Sequence, residues 1–112
     1  MSVTYLIKFN VNPDERARFI TLLNTLLDAM RNETTFIDAA LHVDLEDSNL
    51  FLLHETWVSH DDVLNVQLAR PYRQEWNSAL PELLSKEREI SVWHKIRDDR
   101  SVSETQAVAA HP

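Results

Sequence analysis

The sequence contains no glycine, and this absence limits what the chain can fold into more than any other feature. Glycine makes up about 7% of an average protein, so a chain of 112 residues would ordinarily carry about eight. Without glycine, the loops that cradle phosphates in nucleotide-binding proteins are excluded, and type I′ and II′ hairpin turns are disfavoured. Cysteine is also absent, which excludes disulfides, thiol nucleophiles, iron–sulfur clusters and cysteine-ligated zinc. The chain is therefore poorly equipped for most cofactor chemistry.

The composition is that of one small globular domain. Hydrophobic residues make up 44% and charged residues 26% of the chain. At this size about 65% of the unfolded surface can be buried, which is enough for one modest core. The net charge of −7 argues against nucleic acid as a partner. No apolar run approaches the roughly 18 residues of a membrane span, and residues 1–5 lack the basic segment of a signal peptide, so we expect a cytoplasmic protein.

Alternating apolar residues predict four strands. The first covers residues 3–11, and the next two, 36–44 and 50–58, flank a polar turn as in an antiparallel hairpin. The fourth follows from the alternation over residues 90–96. The hairpin pattern places Phe36 on one face of the sheet and Ile37 on the other, together with the odd-numbered residues of the third strand.

Apolar residues at helical spacing predict two helices. The first begins after Asn12 as N-cap and ends near Asn32, which we expect to take the left-handed conformation in place of glycine. The second begins after Ser59 as N-cap, is interrupted at Pro71 and continues to residue 84.

The predicted order of elements, β-α-β-β-α-β, is that of the ferredoxin-like fold. We therefore expect an α+β domain over residues 1–96, with two helices on one face of a four-stranded antiparallel sheet. Residues 97–112 are expected to form a polar tail that is mobile or orders on a partner. The sheet face away from the helices is predicted to be apolar at Leu6, Phe36, Ala40 and Leu52. Such a face usually marks an interface, which predicts a homodimer through it.

A carboxylate, Glu55, interrupts the apolar face of the third strand. Regular alternation places it on the helix-facing side with Leu53 and Trp57. A carboxylate on an apolar face must be paired, hydrogen-bonded or protonated. Glu55 is therefore either a general base with a raised pKa or the structural partner of a helix N-terminus or an arginine, with Arg70 and Arg73 as candidates. The pattern leaves both open.

Three aromatic side chains are further candidates for a site. Trp57 ends the third strand, and Tyr72 and Trp76 lie four residues apart on one face of the second helix. They form either the aromatic wall of a pocket for a planar ligand, with the Tyr72 hydroxyl as a donor, or part of the core.

The histidines do not predict a metal site. His42 and His54 fall on neighbouring strands of the face predicted to pack in the dimer, where no third ligand is evident. We expect them to make hydrogen bonds at the interface, and we expect His60, beside the helix start, to lie at the surface.

The string from Phe51 to Ser59, FLLHETWVS, resembles the antibiotic biosynthesis monooxygenase family. Pro71–Tyr72 and Leu80–Leu84 extend the resemblance, which covers about residues 3–96. It implies a dimeric α/β barrel with a cavity between each sheet and its own helices. Members of known activity oxidise polycyclic phenols or quinols with dioxygen and need neither metal nor flavin.

The sequence departs from the family pattern at two places where relatives carry functional residues. The family often carries a histidine nine or ten residues after the tryptophan, where this chain has Val66 and Gln67. Haem-degrading relatives combine that histidine with an asparagine of the first strand, so Asn10 without the histidine argues against haem. Some phenol-oxidising relatives have an asparagine four residues before the tryptophan, where this chain has Leu53.

The residues and the resemblance together predict a monooxygenase for a small phenol, quinol or polycyclic aromatic, which uses dioxygen without a metal or organic cofactor. Three residues are assigned to catalysis: Glu55, Trp57 and Tyr72. Four are assigned to substrate contact: Trp76, Leu53, Gln67 and Asn10. Two alternatives stay open, namely a non-catalytic dimer that binds a small hydrophobic molecule and an isomerase that uses the same pocket without oxygen.

Overall fold

The structure is a computed structural model, and it describes residues 2–102. Its strands and helices, in chain order, are β1 (Val3–Asn10), α1 (Arg16–Met30), β2 (Phe36–Val43), β3 (Leu50–Trp57), α2 (His60–Asn65), α3 (Gln74–Leu83) and β4 (Glu89–Trp93). Short 3₁₀ turns lie at Pro13–Glu15, Gln67–Ala69 and Pro71–Arg73. Residues 103–112, most of the predicted tail, lie outside the described part of the chain. No helix within residues 2–102 is long and apolar enough to cross a membrane.

The four strands form one antiparallel sheet in the order β2-β3-β1-β4. α1 and α3 pack together on one face, where their apolar side chains join those of β1 and β3 in a single core. This arrangement confirms the predicted ferredoxin-like α+β fold. The second predicted helix is divided into α2 and α3 because Arg70, the residue before Pro71, is extended at φ −61° and ψ 132°.

A β-bulge corrects the predicted faces of β2. Phe36 pairs with Trp57 and Asp38 pairs with Thr56, so Ile37 is the extra residue between them. The Phe36 ring packs edge-on against Trp57, with centroids 5.2 Å apart, and Ile37 is 48% exposed. The prediction that Phe36 lies on the face away from the helices is therefore wrong, because one inserted residue reverses the alternation before it.

The sheet face away from the helices is otherwise as predicted at three of its four positions. Leu6 and Ala40 both pair with His54, and Leu52 pairs with His42, so all three side chains lie on this face. Charged groups also lie there, since Lys8 pairs with Glu89 across β1 and β4.

The predicted helix caps are confirmed in one case only. Ser59 caps α2, because its hydroxyl accepts a hydrogen bond from the Asp62 amide at 3.2 Å. Asn12 instead donates its side-chain amide to the Glu82 carbonyl at 2.9 Å, and the chain enters α1 through a 3₁₀ turn. The expectation that Asn32 takes the left-handed conformation is also wrong, since no non-glycine residue in the described part of the chain has a positive φ.

The helices leave β4 largely uncovered. Ile90 pairs with Ile7 and Val92 with Tyr5, so both β4 side chains are on the helix-facing side of the sheet. Both are nonetheless 51% exposed. A cleft therefore opens between β4 and the helices.

Candidate active site

A cavity of about 240 Å³ lies in this cleft, between the sheet and the helices. Apolar side chains from β1, β3, β4, α1 and α2 make most of its wall. The polar side chains on the wall are Tyr5, Glu55, His60, Arg73, Asn77 and Arg88. An apolar cavity of about 150 Å³ is large enough to hold benzene, so this one has room for an aromatic ligand of one or two rings.

Glu55 lies in the middle of β3, directly opposite Tyr5 on β1, and is only 7% exposed. The Trp57 indole N–H donates a hydrogen bond to its Oε1 at 3.1 Å. Burial raises the pKa of Glu55, while this hydrogen bond and the charges of Arg73 and Arg88 oppose the rise. The carboxylate is therefore a better proton acceptor than an exposed glutamate, and it faces the cavity.

A hydrogen-bonded pair of Tyr5 and His60 lies on the same wall. The Tyr5 hydroxyl is 2.6 Å from Nδ1 of His60, and the tautomer of the imidazole decides which group donates. Burial raises the pKa of Tyr5, and the negative charge of Glu55 adds to the effect. His60 lies on the cavity wall, so the expectation that it lies only at the surface is wrong. The alternation of β1 could have indicated Tyr5 as a candidate site residue, because it places Tyr5 on the helix-facing side with Phe9.

Two arginines complete the polar wall. Arg73 is 8% exposed, and its guanidinium carbon lies 6.0 Å from the Trp57 ring centroid and 5.8 Å from that of Tyr72. Burial lowers the pKa of Arg88, and the nearby Glu55 opposes this. Arg73 was a predicted partner for Glu55, yet the two form no ion pair or hydrogen bond. The charge of Arg73 acts on the carboxylate through space.

Three of the seven predicted site residues line the cavity: Glu55, Leu53 and Trp76. Trp57 and Tyr72 do not, so the prediction that they form its wall is wrong. Trp57 is completely buried behind Glu55. The Tyr72 hydroxyl points elsewhere and donates to Oε1 of Glu33 at 3.1 Å.

Gln67 and Asn10 also lie off the cavity wall, and their predicted contact with a substrate is not supported by their positions. Gln67 is buried, and its side-chain amide donates to Oδ2 of Asp62 at 3.1 Å and to the Thr35 hydroxyl at 3.3 Å. These bonds tie the turn after α2 to the loop before β2. Asn10 ends β1, where its carbonyl accepts from the Ser85 amide at 2.8 Å.

The residues of the cavity include no candidate metal centre. Within residues 2–102, no three histidine, aspartate or glutamate side chains are grouped closely enough to hold a metal ion. His54 lies on the opposite face of the sheet, 4.0 Å from Oδ1 of Asp38.

Comparison with known proteins gives both sequence and structural relatives. An uncharacterized protein of Synechocystis, sll1783, is 30% identical over 98 residues, which are 88% of this chain and 61% of that protein. This chain therefore spans less than two thirds of that relative. Rv0793 from Mycobacterium tuberculosis has a similar structure, with a TM-score of 0.79, 19% identity and coverage of 89% of this chain and 100% of the other.

SnoaB, a cofactor-independent oxygenase from Streptomyces nogalater, also shares the fold. Its TM-score is 0.75 at 20% identity, and the match covers 87% of this chain and 95% of SnoaB. The family model of the antibiotic biosynthesis monooxygenases matches residues 2–79, a segment that runs from β1 into α3 and includes Glu55 and Trp76. The chain therefore belongs to the antibiotic biosynthesis monooxygenase family.

Proposed function

We propose that this protein is a monooxygenase that oxidises a small phenol or quinol with dioxygen. The observation that carries the proposal is Glu55, a buried carboxylate on the wall of a largely apolar cavity in a member of this family. The shared fold with SnoaB, a cofactor-independent oxygenase, supports the same chemistry. Trp76 supplies an aromatic surface against which a planar ring packs.

The proposed reaction needs a base before it needs oxygen. Glu55 removes the hydroxyl proton of the bound phenol, and the electron-rich anion then gives an electron to dioxygen. The reduced oxygen combines with the ring carbon, and loss of water leaves a carbonyl group. For a quinol the balance is quinol plus O₂ giving hydroxyquinone plus water, so the substrate supplies all four electrons that reduce the dioxygen. The Tyr5–His60 pair borders the same space and offers a hydrogen bond to the substrate oxygen.

Oxygen uptake tests this proposal directly. The purified protein, treated with a chelator and checked for flavin by absorbance, is mixed with benzohydroquinones, naphthohydroquinones and anthrones in an oxygen electrode. We expect uptake proportional to enzyme concentration and above the rate of autoxidation, with one O₂ consumed for each substrate molecule. Tight binding of these aromatics without oxygen uptake would favour the alternative of a non-catalytic dimer that binds a small hydrophobic molecule. Substrate conversion without uptake would favour the isomerase.

We further propose that two copies pair through the sheet face away from the helices. The apolar side chains on this face support it, and Leu52, near the start of β3, is 39% exposed. Light scattering is expected to give twice the 13.0 kDa mass of the chain. Leu52→Glu is expected to shift the protein toward the monomer, because it introduces a charge into an apolar contact. Leu45→Glu, at a fully exposed turn residue, is the matched control. A mass that stays at 13.0 kDa at all concentrations would contradict the pairing.

A further inference from the structure

We infer that the cavity takes an aromatic ligand that carries a carboxylate, and that Arg73 and Arg88 bind this negative group. The inference deepens the proposed function, on which it rests for the aromatic part of the ligand. The carboxylate part follows from the two arginines alone.

Arg73 is a buried cation that lacks an acceptor. Its Nε and Nη2 are both shielded from solvent, and neither has a hydrogen-bond partner within residues 2–102. The faces of Trp57 and Tyr72 provide cation–π contacts, which offset only part of the cost of burying a guanidinium. Arginine stays protonated in proteins, so the buried charge persists and requires an anion.

The other charged groups of the cavity do not supply that anion. Glu55 accepts a hydrogen bond from Trp57, and neither arginine forms an ion pair with it in the described part of the chain. The wall therefore carries two guanidinium groups against one carboxylate. Because burial raises the pKa of Glu55, protonation of that carboxyl would leave the cavity still more positive.

Two arginines outside the cavity form ion pairs with glutamates. Arg70 lies 3.1 Å from the carboxylate of Glu33, and Arg18 lies 2.7 Å from that of Glu82, although both arginines are considerably exposed. Arg73, by contrast, is buried on the cavity wall, and no ion pair within residues 2–102 includes it. A guanidinium presents two parallel N–H groups, which match the two oxygens of a carboxylate. A ligand with an aromatic ring and a carboxylate can pack its ring against the apolar part of the wall and pair its carboxylate with the arginines.

A matched pair of probes tests the inference. The anion 2-naphthoate and the neutral 2-naphthamide have nearly the same size and are titrated by calorimetry at neutral pH. We expect 2-naphthoate to bind about 10-fold tighter or more, because hydrogen bonds to a charged acceptor are the stronger ones. Arg73→Gln and Arg88→Gln are each expected to weaken 2-naphthoate about 10-fold and to leave 2-naphthamide within about twofold. Arg18→Gln removes the same charge outside the cavity and is expected to change neither affinity.

Equal affinities for the two probes, or no binding of either, would overturn the inference. The inference would also be overturned if the Arg88→Gln variant bound 2-naphthoate as tightly as the wild type does. Arg88 is only partly buried, so this variant keeps the test decisive even where circular dichroism shows that Arg73→Gln does not fold. The titration requires no turnover. A preference for 2-naphthoate without oxygen uptake contradicts the oxygenase proposal alone, whereas uptake without the preference contradicts this inference alone.

Discussion

Replacing Glu55 by glutamine is expected to lower the rate of substrate-dependent oxygen uptake by about 10²–10⁴-fold, the usual contribution of a general base. Glutamine has nearly the same shape, and its carbonyl oxygen can still accept the hydrogen bond from the Trp57 indole. The substitution therefore removes the proton acceptor while it keeps the packing. Oxygen-electrode rates at saturating substrate, for wild type and variant, provide the measurement.

The dependence on pH separates a catalytic role of Glu55 from a structural one. Since burial raises the pKa of Glu55 above its ordinary 4.5, the wild-type rate should rise with pH as the carboxylate forms above that value. The stability should change in the opposite direction. A group whose pKa is raised on folding binds its proton more tightly in the folded state, so its contribution is present below the unfolded pKa and is lost as pH rises through the folded pKa.

Glu55→Gln should consequently unfold at higher urea concentration than the wild type at neutral pH, because it buries no charge. Its stability should also lack the decline seen in the wild type as Glu55 ionises. Glu82→Gln is the matched control, since Glu82 is exposed and pairs with Arg18 away from the cavity. A Glu55→Gln variant that consumes oxygen at the wild-type rate would contradict the assignment of the base.

Replacing Phe19 by alanine is expected to lower the free energy of unfolding by about 3–5 kcal/mol. Phe19 projects from α1 into the centre of the core and is completely buried. Its ring centroid lies 5.2 Å from that of Phe9, 5.0 Å from that of Phe51 and 5.7 Å from that of Trp76. Alanine would remove the contact that links the helices to both central strands and would leave a cavity behind.

Urea unfolding followed by tryptophan fluorescence measures this loss. A lower midpoint at an unchanged slope shows that stability, and not the extent of unfolding, has changed. Asn24→Ala lies on the exposed side of the same helix and should change the free energy of unfolding by less than about 0.7 kcal/mol. A loss of less than about 1 kcal/mol for Phe19→Ala would contradict the packing of this ring cluster.

Much of the fold could be predicted from the sequence because strands and helices leave local patterns. Alternation in β1 and β3 predicted which side chains face the helices, and the proline at position 71 predicted where the second helix breaks. The same alternation predicted that Glu55 lies on an apolar face. Each of these properties depends on residues close together in the chain and on which side of an element meets water.

The absence of glycine correctly excluded the glycine-rich phosphate-binding loops, but it led to a wrong prediction for the turn after α1. Asparagine was expected to supply the left-handed conformation at the end of α1. The helix instead ends with Arg31 in the right-handed region, and the Asn32 side chain donates to the carbonyl of Asp28 at 3.3 Å. Short 3₁₀ turns at three places change the direction of the chain without any positive φ.

The order of the elements and the apolar face that holds Glu55 could be predicted from the chain alone. Three features became apparent only in the folded chain: the bulge at Ile37 turns Phe36 onto Trp57, Tyr5 meets His60 across 55 residues of chain, and Arg73 is buried without an anionic partner among residues 2–102. A side chain's face follows from its neighbours in sequence, whereas its contact partners depend on strand register and on how helices seat against a sheet, which the whole chain sets together.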